Sequence, residues 1–106
     1  MKHIYCVARF LAKCGKADEL VESLRKLIPD TLSEEGCISY VLTREIPYSG
    51  AHGEKWDVCL IEKWASKKDF DHHCARPYIT HFFENTARIL VEKSDVRLYG
   101  VLVYAF

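Results

Sequence analysis

Residues 62–82 read EKWASKKDFDHHCARPYITHF and concentrate the side chains able to do chemistry. Glu62 and Trp64 end a strand-like run, His72 and His73 fall in a short helical run, and Tyr78, His81 and Phe82 lie beyond Pro77. An unperturbed imidazole titrates near pH 6.5, so a histidine at the mouth of an apolar pocket can take or give a proton. On a helix over 66–75 packed against a sheet, Phe70, His73 and Cys74 share the inner side at i, i+3 and i+4. Asp71 then points away, and His72, turned by about 100°, faces water. His73 is therefore the candidate general base; the plainer alternative is a ring that caps or bonds locally. Metal ligation by His72, His73 and His81 is disfavoured, because Pro77 interrupts the path between them and no carboxylate completes a ligand spacing.

Tyr40, Trp64, Tyr78 and Phe82 offer flat walls for a small-molecule cavity, or else plain packing. Arg44 inside such a cavity would favour an anionic ligand. The preferred reading pairs it instead with Glu62 across a hairpin at the rim.

These side chains need a scaffold, and 106 residues allow one domain, residues 1–106, with a single core. Fifteen basic and fifteen acidic residues give zero formal charge. That balance argues against nucleic acid as a partner, since counterion release needs clustered positive charge. No apolar run approaches the roughly 20 residues of a membrane helix, and MKHIYCVARFLAK is too short and mixed for a signal peptide. The cytoplasm is the expected location. Five cysteines without C-x-x-C spacing read as free thiols acting as small hydrophobes.

The element order follows from periodicity. HIYCVARFL (3–11) reads as a strand. From Lys16 to Glu34, Ala17, Leu20, Val21, Leu24, Leu27, Ile28 and Leu32 recur at helical spacing, with Pro29 dividing the helix and Gly36 ending it. CISYVLTREI (37–46) and EKWDVCLIEKW (54–64) read as a hairpin around PYSGAHG. Ser66 is the expected N-cap of the next helix, with Asp69 completing an acidic capping box. Pro77 restarts a helix through YITHFFENTARILVEK, and VRLYGVLVYAF (96–106) reads as the last strand. The pattern β-α-β-β-α-β is the α+β, ferredoxin-like split βαβ arrangement, an antiparallel sheet with helices on one face. Both faces of its strands carry large apolar side chains, such as Tyr5 and Val7 against Ile4 and Phe10. A sheet apolar on both sides needs a second cover, and a two-fold partner is the simplest, so a homodimer through the sheet face is expected.

Four segments, GKADEL (15–20), EEGCISY (34–40), IEKW (61–64) and HCARPY (73–78), together resemble the antibiotic biosynthesis monooxygenase (ABM) domain family over roughly residues 3–92. The resemblance implies the dimeric α+β barrel. It also implies one of several activities: cofactor-independent oxygenation of quinols or aromatic polyketides, haem degradation, or isomerisation of a phosphorylated autoinducer-2 breakdown product. The haem-degrading branch has asparagine, tryptophan and histidine where this chain has approximately Ala8, His73 and Phe83, a departure that argues against it. The leading expectation is a cofactor-independent monooxygenase with His73 as base. Its substrates would be O2 and a small quinol or aromatic molecule bound by Tyr40, Arg44, Trp64, Tyr78 and Phe82. The isomerase, favoured if Arg44 or Arg76 faces the pocket, and a non-catalytic dimeric binding domain are the alternatives.

Overall fold

The computed structural model describes residues 3–105. Its strands are β1 (Ile4–Ala12), β2 (Cys37–Arg44), β3 (Val58–Trp64) and β4 (Val91–Gly100). Its helices are α1 (Ala17–Arg25), α2 (Ile28–Leu32), α3 (Lys67–Cys74), α4 (Pro77–His81) and α5 (Ala87–Leu90), with a π-helical turn over Phe82–Thr86. The sheet order is β2-β3-β1-β4 with every neighbour antiparallel, so β1 and β3 form the centre. This is the α+β, ferredoxin-like fold read from the sequence.

Alternation in the central strands builds the core. Ile4, Cys6, Ala8 and Phe10 of β1 and Val58, Leu60, Glu62 and Trp64 of β3 are buried under the helices. Leu20 and Leu24 of α1 close over them and are fully buried. The opposite face leaves Val41, Ile61 and Tyr99 half exposed. Between them lie an Arg9–Asp95–Arg97 ion cluster and Lys63, which sits over the Tyr5 ring. The body is only 17 Å along its shortest axis, one sheet and one helical layer. No helix among the described residues is long and apolar enough to cross a membrane.

The sequence reading is corrected at several strand ends, and β2 stops at Arg44 rather than 46. β3 starts at Val58 rather than 54, leaving Trp56 outside it. The final strand runs over 91–100 rather than 96–106, because Val91 already pairs with Ala12 and Lys93 with Leu11 along β1. Leu102 and Val103 lie beyond the strand and are 93% and 83% exposed.

Gly36 fixes the approach of β2 to α3. Its φ is +87°, and a Cβ there would lie 2.3 Å from Asp69 Cγ. Asp69 is held in turn by Ser66, whose Oγ accepts from the Asp69 backbone N–H as the N-cap of α3. Gly15 also has positive φ but would place its Cβ in open space. Gly36→Ala should therefore cost about 1–3 kcal/mol in urea unfolding, more than Gly15→Ala. Equal losses would mean that the Asp69 contact is not made.

Candidate active site

α3 places His73 as its spacing demands. Phe70 and His73 are buried, while His72 and Asp71 are exposed. The His73 ring is 3% exposed and packs against Trp64, centroids 4.7 Å apart, and edge-on to Tyr40 at 5.7 Å. Its Nδ1 lies 2.8 Å from Glu34 Oε2. The same oxygen accepts the Tyr78 hydroxyl, and Glu34 Oε1 lies 3.6 Å from Arg76 Nε. A carboxylate accepting at Nδ1 makes that nitrogen the protonated one, so Nε2 carries the free lone pair. Nε2 makes no hydrogen bond within the described residues, and none of their fully buried side-chain nitrogens or oxygens lacks a partner. Nε2 therefore borders open space.

That space is a cavity of about 230 Å³ between the sheet and the helices. Phe10, Leu60, Phe82 and Ile79 line it with apolar surface; His73, Glu62 and Tyr40 bring polar atoms. The π-helical turn brings Phe82 and Phe83 together, rings 5.1 Å apart, and both stand 6.2 Å from Phe10. Such turns recur at functional sites. Cys74, Phe83 and Val96 also line the cavity and are exposed, which marks its mouth. An engineered apolar cavity of about 150 Å³ accepts benzene. The present space thus suits a molecule of one or two rings. A broader depression of about 610 Å³, lined by Arg9, Glu54, Lys93 and Arg97 among others, is highly charged and sets no buried imidazole in an apolar wall.

Burial lowers the His73 pKa from its ordinary value and outweighs the hydrogen bond and charge of Glu34, which raise it; Arg76 lowers it further. The ring is neutral at pH 7 and able to accept a proton. Burial likewise pushes the Glu62 carboxyl up to about 7, against the hydrogen bond from Trp64. The Tyr40 phenol is pushed well above its usual range, chiefly by burial.

The residues expected at the site divide into three groups. Tyr40 and Phe82 line the cavity with His73. Trp64 and Tyr78 stand outside its lining: Trp64 backs the imidazole, and Tyr78 bonds Glu34 and faces the Thr31 hydroxyl at 3.2 Å. Arg44 does not join them. It is exposed and lies opposite Val58, whereas Glu62 lies opposite Tyr40, so the expected Arg44–Glu62 pair does not form. Four residues of strand separate the two positions, about 13 Å. Glu62 is buried and accepts from Trp64 Nε1 at 2.9 Å. Glu34, not singled out from the sequence, is the residue that holds the His73 imidazole by its Nδ1. Its one sequence signal is its place in EEGCISY, just ahead of the obligatory Gly36.

The thiols vary more than expected. Cys6 is buried, Cys37 and Cys59 are half-buried, and Cys14 and Cys74 are exposed. Among the described residues no three His, Cys, Asp or Glu side chains converge as metal ligands, and His73 and His81 lie on separate helices.

A two-layer ferredoxin-like domain with a histidine-bearing apolar cavity defines the class, and comparison with known proteins gives the family. The family model described as antibiotic biosynthesis monooxygenase matches residues 3–85. The chain belongs to that family. Protein SO0527 from Shewanella oneidensis is 39% identical, with 94% of this chain and 91% of that chain covered and a TM-score of 0.82. A structure described as an antibiotic biosynthesis monooxygenase is 21% identical, covering 94% of this chain and 99% of that chain, TM-score 0.76. A Bacteroides fragilis protein described as dimeric with a ferredoxin-like fold is 10% identical, covering 93% and 96%, TM-score 0.72. The uncharacterized protein sll1783 of Synechocystis is 25% identical over 84% of this chain, which spans 56% of that relative's length.

Proposed function

We propose that the protein is a cofactor-independent monooxygenase in which His73 deprotonates a small quinol or enolisable aromatic molecule. The carrying observation is Nε2 of a neutral, buried imidazole bordering an apolar cavity while Glu34 holds Nδ1. Loss of a proton makes the substrate electron-rich enough to reduce O2, and apolar walls shelter the reactive intermediate from water. Tyr40 and Phe82 contact the ring; Trp64 and Tyr78 keep the base in place. Neither arginine favours the phosphorylated-substrate isomerase: Arg44 and Arg76 are both absent from the cavity lining. In anaerobically prepared reactions, menadiol should consume O2 on admission faster with the protein than without it. Uptake equal to the spontaneous rate would dismiss the reading.

The working form in this proposal is a homodimer joined through the sheet face, in the cytoplasm. Supporting it are the half-exposed Val41, Ile61 and Tyr99 on that face, the thinness of the body and the dimeric description of the Bacteroides relative. Sedimentation should give twice the 12.3 kDa chain mass. Ile61→Lys, placing a charge in the centre of the face, should return the monomer; a wild-type monomer at micromolar concentration would contradict the assembly.

A further inference from the structure

The role given to His73 leaves one buried ionisable group of the same cavity unused. Glu62 is 4% exposed, projects from β3 into the cavity, and has no ion-pair partner among the described residues. Trp64 Nε1 occupies its Oε1 at 2.9 Å. The Cys6 thiol shares the cavity lining with Glu62, and a thiol is at best a weak donor. A carboxyl among apolar walls without a cation keeps its proton, because the charged form loses its hydration. A protonated carboxyl is a hydrogen-bond donor as well as an acceptor.

We propose that Glu62 is the acid partner of His73, its carboxyl O–H donating to a ligand oxygen while His73 Nε2 removes the ligand's proton. This deepens the reading of the cavity as a deprotonation site and rests on it. For a fused-ring ketone, Nε2 takes a proton from the carbon beside the carbonyl, and the C–H electron pair becomes a C=C bond. The C=O π pair moves to oxygen, which takes the Glu62 proton. A neutral enol, an imidazolium and a carboxylate result, with total charge unchanged; reversal restores the start. The cavity thus selects uncharged molecules with an oxygen placed opposite the acidic site.

The groups facing Glu62 leave its titration readable. Cys6 on β1 and Tyr40 on β2 are raised well above their usual ranges, chiefly by burial. Cys37 on β2 and Cys74 on α3 are raised to about 11, again by burial first. Glu34 acts on Glu62 from farther off as a like charge. Only His73 and Glu62 of the cavity then change charge near neutrality, His73 below its ordinary value and Glu62 at about 7.

The probe is 2-tetralone, a two-ring ketone, studied anaerobically in D2O from pH 5.5 to 9. Proton NMR reads its protein-dependent exchange above the spontaneous rate, and shift titration reads its affinity. In the wild type both should decline above about pH 7 as Glu62 loses its proton. Glu62→Gln keeps an acceptor for Trp64 but has no proton to transfer. It should exchange roughly 10²-fold more slowly at pH 6.5 and show no decline of affinity. A decline retained in Glu62→Gln, or no decline in the wild type, overturns the assignment and leaves His73 standing. Affinity that declines without any catalysed exchange overturns the base role of His73 and leaves donation by Glu62. Absence of binding overturns both. The wild-type titration carries the same sign alone, so a poorly folded variant does not remove the test.

Discussion

His73→Ala should lower menadiol-dependent O2 uptake by about 10²–10⁴-fold, the usual contribution of a positioned base. The loss should fall on kcat more than on KM, since the apolar walls that bind the ring remain. The wild-type rate should rise with pH along an acid limb whose midpoint lies below 6.5, because burial makes the imidazolium less favourable than in water. Stopped-flow oxygen measurements across pH 5–8 check both points. A fully active alanine variant would remove the base from the account. Activity lost together with folding would show as a change in unfolding midpoint, which the same preparation can report.

The second large effect is on stability. Glu62 has its folded pKa raised from 4.5 to about 7, mainly by burial. The folded state therefore holds a proton that the unfolded chain releases between those values. Its contribution to stability is full below about pH 4.5 and is lost as pH rises through about 7. The difference amounts to about 3 kcal/mol. Glu62→Gln should abolish this slope: urea unfolding at pH 5 and pH 8.5, at one protein concentration, should show the variant losing less stability with rising pH than the wild type by that amount. The opposing slope from His73, whose lowered pKa costs stability as pH falls below 6.5, is shared by both proteins and cancels. Parallel profiles would mean that Glu62 is ionised and solvated in the fold.

The sequence made the element order readable because strand and helix periods differ sharply in the central elements. Ile4, Cys6, Ala8 and Phe10 alternate as a half-buried strand must, and Ser66 with Asp69 marks the start of α3. The inward aim of His73 was readable for the same reason, since Phe70 one turn earlier anchors that face. β4 was less clear. Its opening VEKSD is polar because most of those side chains remain exposed at the sheet edge, and it continues an apparently helical run. The role of Glu34 and the buried place of Glu62, expected instead at the rim beside Arg44, were not readable for another reason. The Glu34–His73 contact joins positions 39 apart in the chain. The burial of Glu62 depends on register, which sets Tyr40 rather than Arg44 across from it. Local spacing carries no record of either.

The lone pair on His73 Nε2, facing a space that holds the reacting molecule, is the claim on which the chemistry stands. Nitrogen-15 NMR of the selectively labelled histidines, recorded anaerobically at pH 7.5 with and without menadiol, tests it most directly. The account predicts a protonated Nδ1 and an unprotonated Nε2 in the free protein, with the Nε2 resonance moving toward the protonated form when the quinol binds. A proton already on Nε2, or a resonance that saturating quinol leaves in place, would contradict it.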